Sequence, residues 1–244
     1  MNAHCEAARA ALARWAAQPE AEPPVAGRFE GHLFCLPLDP SEAVKARFVA
    51  ACEQIGARAL CVGLDFEEQG LVRVLLTSKY YEHDDVRGPV AGLLADAEVL
   101  DGSLEVARIK LEALAAQPGI PRSSAAARAM QQRTGFDHYF EFHVRLAGEA
   151  TPERDAELRA LAADLTGELG VKVPFSCNDM GAKTQRFLNA RTYGLGLDES
   201  QRQVIDRITA AVTARGYTIQ KVIGEYGVFD TNKDLDRGWL EFLA

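Results

Sequence analysis

The sequence predicts an α+β protein made of two tandem copies of a ferredoxin-like βαββαβ module, each an antiparallel sheet with helices on one face. Three observations lead there. The order strand-helix-strand-strand-helix-strand can be read twice along the chain. Residues of the first half recur at a near-constant spacing in the second. The 244 residues suit two modules of about 100–120 residues better than one ordinary domain.

Residues 1–25 read as an N-terminal helix and linker. Ala8, Leu12 and Trp15 share one face of a helix over 1–17, and Gln18-Pro19-Glu20-Ala21-Glu22-Pro23-Pro24 ends it. The first module, 26–114, opens with the extended run Phe29–Leu38. Asp39 or Ser41 can cap a helix carrying Val44, Phe48, Cys52 and Ile55 at near-helical spacing, closed by Gly56. Strands are expected over Ala59–Leu64 and Leu71–Tyr81, a helix over Asp84–Leu100 and a strand over Leu104–Leu114. Residues 115–135, with Pro118-Gly119-Ile120-Pro121 and an Ala-rich helical piece, form a natural linker. The second module with its tail, 136–244, repeats the order: strand Tyr139–Leu146, helix Pro152–Leu169, strands Val171–Ser176 and Thr184–Tyr193, helix Asp198–Arg215 and strand Tyr217–Phe229.

The repeat shows in residues as well as in elements. Phe29-Glu30-Gly31-His32 recurs as Phe140-Glu141-Phe142-His143, 111 residues on, and Glu42 as Glu153 at the same spacing. Arg73, Leu75 and Tyr80 recur as Arg186, Leu188 and Tyr193, and Arg108 and Glu112 as Lys221 and Glu225, all 113 residues on. A two-residue insertion between the blocks reconciles the spacings. The expected core is Phe29, Leu33, Phe48, Ile55, Val74, Ile109, Phe140, Val144, Leu161, Leu165, Ile205, Ile208 and Val222.

Composition narrows the function classes. Lys and Arg number 27 against 35 Asp and Glu, a net charge of −8, which argues against salt-driven binding to nucleic acid or anionic membrane. Apolar runs such as Leu33–Leu38 fall far short of the roughly 20 residues that span a bilayer. The first 17 residues lack the plan of a secretory signal, so a soluble cytoplasmic protein is expected. Five cysteines without a Cys-x-x-Cys spacing suggest reduced packing thiols instead of a disulfide framework. No Walker loop, Gly-x-Ser-x-Gly or dinucleotide fingerprint occurs, and Asp198-Glu199 after Tyr193-Gly194-Leu195-Gly196-Leu197 would repel phosphate.

Two ferredoxin-like modules leave two open sheet faces, to be solvated, packed together or used to hold a ligand. Strand alternation places Glu30 and His32 opposite Phe29 and Leu33, and Glu141, His143 and Arg145 opposite Phe140, Phe142 and Val144. With the apolar sets under helices, Glu-x-His faces outward in both halves. Arg73 and Arg186 are expected beside these pairs on the third strands, and Glu112, Lys221 and Glu225 on the last. Three roles suit such a set: structural ion pairs, a divalent metal held by Glu141, His143 and Glu225, or a small anion read by His143, Arg145, Arg186, Arg191, Lys221, His32 and Arg73. The second half, with Arg145 where the first has Phe34, is the richer in anion-reading groups. The functional expectation is a small-ligand protein or an enzyme of unassigned reaction, and the alternative is a non-catalytic interaction module, with a homo-oligomer compatible with either.

The pairing of His32 with Glu112 and of His143 with Glu225 resembles vicinal-oxygen-chelate enzymes, whose duplicated modules place a metal-binding His on the first strand and a Glu on the last. The resemblance covers these four positions and implies a metal there. It departs from that family in order, βαβββ against the βαββαβ read here. In the tail, Asp230-Thr231-Asn232-Lys233-Asp234 with Glu241 follows part of a calcium-loop pattern but carries Leu235 where Gly is required. Turns that lead Trp239, Leu240 and Phe242 onto the body are expected instead.

Overall fold

The computed structural model describes residues 2–178, 180 and 184–240. Eight strands alternate with the helices: β1 (Gly27–Cys35), β2 (Arg58–Phe66), β3 (Gly70–His83), β4 (Val106–Leu114), β5 (Tyr139–Leu146), β6 (Phe175–Asn178), β7 (Gln185–Tyr193) and β8 (Ile219–Asp230). They do not form two open sheets. They close into one antiparallel barrel in the order β1-β3-β2-β6-β7-β5-β8-β4, which corrects the expected pair of ferredoxin-like modules with exposed faces. Each half contributes its strands in the same order, last-first-third-second, and the two sets join at both edges. One seam pairs Val62, Gly63 and Leu64 of β2 with Asn178, Cys177 and Ser176 of β6. The other runs from Lys110↔Asp230 to Leu114↔Glu225 between β4 and β8. Closure satisfies the backbone donors and acceptors that two separate sheets would leave bare at four edges.

The helices pack outside. They are α1 (Ala3–Ala17), α2 (Glu42–Gln54), α3 (Arg87–Leu100), α4 (Ser124–Thr134), α5 (Pro152–Leu169), and α6 (Leu197–Ser200), which passes through a π turn at Gln201–Ile205 into α7 (Asp206–Ala214). Local chemistry sets their limits. Ser41 caps α2 by accepting from the Val44 amide. Thr151 caps α5 ahead of Pro152, with Glu153 and Asp155 in the first turn and Gly170 in the left-handed conformation at the end. Trp15 of α1 is fully buried, edge-on to Phe136 and Phe229.

The main core lies between helices and barrel and contains Phe29, Leu33, Ile109, Phe140, Val144, Leu188 and Ile208. Two expected members sit elsewhere. Val222 is 38% exposed on β8. Val74 faces the barrel interior, in a second cluster with Phe34, Leu60, Leu64, Leu76, Trp239 and Leu240. Trp239 and Leu240 belong to the tail, which follows a 3₁₀ turn at Lys233–Asp236 and plugs one end of the barrel, the Trp239 indole donating to the Phe175 carbonyl at 3.2 Å. Asp179, Gly181, Glu241 and Phe242, expected in a turn and in the tail, lie outside the described residues. No helix among the described residues is long and apolar enough to cross a membrane.

The β2–β6 seam is short, and Gly63 holds it close. A Cβ there would stand 2.7 Å from Cys177 Sγ and closer still to the Arg73 guanidinium. Gly63→Val is therefore expected to destabilise the protein by about 1–3 kcal/mol, read from urea unfolding. Unchanged stability would show that the seam tolerates separation.

Candidate functional site

Register decides which side chains enter the barrel. On β3, Glu30 pairs with Tyr80 and Phe34 with Leu76, so even-numbered residues face inward and Arg73 faces out. There its Nη1 meets Cys177 Sγ at 3.0 Å. On β7, His143 pairs with Asn189 and Glu141 with Arg191, so Phe187, Asn189 and Arg191 face inward and Arg186 faces out, where both Nε and Nη2 donate to Asp155 of α5. The expected grouping of Arg73 and Arg186 with the Glu-x-His pairs is thus overturned by one residue of parity. His32, Glu30, Glu112, Glu141, His143, Glu225 and Arg191 do come together inside. Arg145 and Lys221 pair with each other on β5 and β8; Arg145 is half-buried, Lys221 is exposed at the outer rim, and neither is part of the main cavity lining.

A cavity of about 230 Å³ occupies the interior. Glu30, His32, Glu112, Glu141, His143 and Glu225 form one wall. Phe34, Leu60, Val62, Leu76, Phe187 and Trp239 also line the cavity, together with Arg58, Ser176, Asn178 and Gln185. A second cavity of about 200 Å³ adjoins it, sharing Glu30, Tyr80, Glu112, Ile223 and Glu225 and reaching the rim at Arg28 and Lys221.

The two imidazoles are held alike. Pairing between β1 and β3 lapses after Gly31↔Lys79 and resumes at Phe34↔Leu76, because the Leu33 amide donates to the Thr77 hydroxyl at 2.9 Å. The Thr77 carbonyl is thereby free to accept from His32 Nδ1 at 2.7 Å. His143 Nδ1 donates to Asn189 Oδ1 at 2.7 Å, an orientation fixed because Asn189 Nδ2 donates to the Pro174 carbonyl and to Ser176. Each Nε2 then faces two carboxylates. For His32 these are Glu112 at 3.4 Å and Glu30 at 3.9 Å; for His143 they are Glu225 at 3.1 Å and Glu141 at 3.6 Å.

Permanent cations compensate the deeper acids. Arg108, with no exposure, donates to both oxygens of Asp230 and, through Nη1, to both of Asp236. Arg191 joins Glu141 to Asp236, and Lys110 bridges Glu112 and Glu141. Tyr139 lies against Gly227, whose Cβ would enter the phenol ring, and donates to Asp230 at 2.6 Å. The sequence reading passed over Asn189, Tyr139 and Asp236, and took Arg108 only as a repeat partner of Lys221. The one visible signal was the alternation Phe187, Asn189, Arg191, Tyr193 on β7.

Burial alone would push the His143 imidazole down, but the hydrogen bond and charge of Glu225, with the charge of Glu141, raise it to about 9. His32 is raised more modestly: burial opposes Glu112 and Glu30, and the Lys110 ammonium opposes them too. Burial raises Glu225, and the charges of Glu112 and Glu30 add to it against His143. Glu141 goes the other way, held well below the usual carboxylate range because Lys110, Arg191 and His143 outweigh its burial. His143 and Glu225 therefore share a proton, whereas Glu141 is a fixed anion.

Among the described residues no group of three or more His, Cys, Asp or Glu is arranged to hold a metal ion. The expected set of Glu141, His143 and Glu225 is corrected accordingly: Lys110 and Arg191 already occupy Glu141, and His143 Nε2 is turned to a proton shared with Glu225.

No family model and no curated protein matches the chain. A solved structure described as a "putative monooxygenase" from Fusobacterium nucleatum subsp. nucleatum ATCC 25586 is similar at TM-score 0.30 and 10% identity, over 86% of this chain and 95% of that one. Another so described, from Lactobacillus acidophilus NCFM, is similar at TM-score 0.28 and 10% identity, over 84% and 96%. A likeness at that level bears on neither activity nor ligand.

Two outcomes are expected. Because the folded imidazole of His143 is raised above its unfolded value near 6.5, its contribution is complete below that pH and is lost as pH rises through about 9. Urea unfolding across pH 6–10 should show a fall on the order of 2 kcal/mol that His143→Gln removes; an unchanged slope would contradict the assignment. Asp236→Ala, which strands Arg108 and Arg191, should cost roughly 3–5 kcal/mol. Loss of the exposed Asp234 should change stability by less than about 0.5 kcal/mol.

Proposed function

We propose that this chain binds a compact, largely apolar small molecule inside its barrel and holds that molecule's polar group against His143 and Glu225, a pair able to pass a proton to or from it. The observation that supports this reading is the mixed lining of the interior cavity, which sets Glu30, His32, Glu112, Glu141, His143 and Glu225 beside the apolar Phe34, Leu60, Val62, Leu76, Phe187 and Trp239. Such a surface suits a guest with one polar end. A cavity of roughly 150 Å³ admits benzene, so about 230 Å³ suits a single ring with a short substituent.

The second feature that supports it is the fixed imidazole. With Nδ1 committed to Asn189, only Nε2 of His143 faces the cavity, beside a carboxyl whose own proton affinity is raised. A polar group arriving at Nε2 meets a donor and an acceptor already paired, which is the requirement for general acid–base exchange. A second reading, a non-catalytic module whose polar faces only pack together, draws on the ion pairs of Lys110 and Arg191 with Glu141. It gives the apolar part of the cavity lining no occupant.

Thermal unfolding with toluene, phenol, cyclohexanol and benzyl alcohol separates the two. Saturable stabilisation is expected, about 2.7 kcal/mol at a hundred times Kd. Ile223→Trp, which fills the space where the two cavities adjoin, should abolish the response while leaving the unliganded transition within a few degrees. No response from the unmodified protein to any of these compounds would favour the packing-only reading.

A further inference from the structure

The charge of β5 and β8 changes sign along the barrel. Their inward side chains face each other in three successive rungs, Glu141↔Glu225, His143↔Ile223 and Arg145↔Lys221. The deep rung is acidic, the middle one carries the imidazole, and the last, at the open end, is doubly basic. Like charges directly opposite on paired strands destabilise a sheet, and in a chain with 35 acids against 27 bases such a pair would ordinarily meet an acid. Among the described residues, neither the Arg145 nor the Lys221 side chain has a hydrogen bond or an ion pair. The other cations of this end are engaged: Arg28 lies 4.1 Å over the Tyr80 ring with Glu82 across from it, and Arg58 donates to Ser78 at 3.4 Å. So are the nearest acids, Glu30 accepting from Ser78, Glu112 pairing with Lys110 and Glu225 with His143. Lys221 lines the second cavity, which adjoins the main one at Ile223, and Arg145 stands beside it, opposite Phe187 of β7.

We infer that the ligand carries a carboxylate at the end remote from His143: its ring lies in the main cavity, and its carboxylate emerges between Arg145 and Lys221. The inference rests on the binding reading above and names the ligand class for the same cavity, a monocyclic acid with a second polar group across the ring. Two residues of strand advance about 7 Å, so the outer rung stands about that far beyond the imidazole rung, a gap that a ring with a short arm opposite its polar group can bridge. A carboxylate there offsets the repulsion between the two cations. Arg145, half-buried, presents a guanidinium fork that can take both of its oxygens, and the exposed Lys221 adds a point charge. An ammonium at the same place would face two cations and no unengaged acid. The place also favours a single negative charge, because Glu30, Glu112 and Glu225 lie deeper in the second cavity and would repel a dianion more strongly.

Isothermal titration at pH 7 with 4-hydroxyphenylacetate, 4-hydroxyphenethyl alcohol and 4-hydroxyphenethylamine provides the test, because the three share a phenol ring and a two-carbon arm and differ in the charge at its end. The acid should bind at least about ten-fold tighter than the alcohol, and the amine more weakly than the alcohol. Lys221→Gln and Arg145→Gln should each cut the ratio of acid to alcohol affinity about three-fold and together bring it close to unity, whereas Arg145→Lys, which keeps the charge, should preserve most of it. Equal affinity for acid and alcohol, tightest binding of the amine, or a ratio that the double substitution leaves intact would overturn the carboxylate assignment and leave the cavity reading standing. Absence of binding by all three would overturn both.

Discussion

The structure depends on enclosing charge without leaving it unpaired. A barrel interior is a poor solvent for ions, and an isolated buried carboxylate would take up a proton or keep the fold from closing. Here Arg108 stands between Asp230 and Asp236, Arg191 between Asp236 and Glu141, and Lys110 between Glu141 and Glu112. The chain of alternating sign runs from the tail into the middle of the barrel. It also ties the tail to the strands, since Asp236 is the tail residue to which two of the three cations bind.

That arrangement explains why one end is plugged and the other polar and open to the rim. Asp236 neutralises the buried Arg108 and Arg191 at the end of the barrel, and it brings Trp239 and Leu240 onto Phe34, Leu64 and Leu76. The apolar plug and the ionic clasp are thus one element seen from two sides. Towards the rim the acids rely on imidazole protons and on Lys110.

Much of this was legible in the sequence and some was not. Strand alternation placed Glu30, His32, Glu141 and His143 on one polar face, and those residues do line a common wall, because the apolar positions between them, Phe29, Leu33, Phe140 and Val144, must meet the helices. The third strands were misread because Arg73 and Arg186 look like ligand-reading groups and were aligned with the polar face by analogy. Their parity is set by cross-strand register, which a single sequence does not contain. Closure was also invisible: an edge strand that pairs with a distant edge differs from a free one only in what lies opposite, and the pairing of Gly63 with Cys177 joins segments more than a hundred residues apart. Asp236 was passed over for a related reason, since an acid in a polar tail has no periodicity to mark it as buried.

The two halves share a plan and divide its use. Lys110 of the first half corresponds to Ile223 of the second, and Arg108 to Lys221. In the first half the inward lysine and arginine are drawn into the ionic chain, and the Lys110 charge restrains the rise of His32. In the second half Ile223 gives His143 and Glu225 an apolar neighbour in place of a competing cation, so that pair retains a proton of its own to near pH 9. The apolar-for-basic difference on the last strand, together with the Asn189 side chain that holds His143 where the Thr77 carbonyl holds His32, separates the two imidazoles. The asymmetry lies in the partners of the histidines, and the histidines themselves occupy equivalent places on β1 and β5.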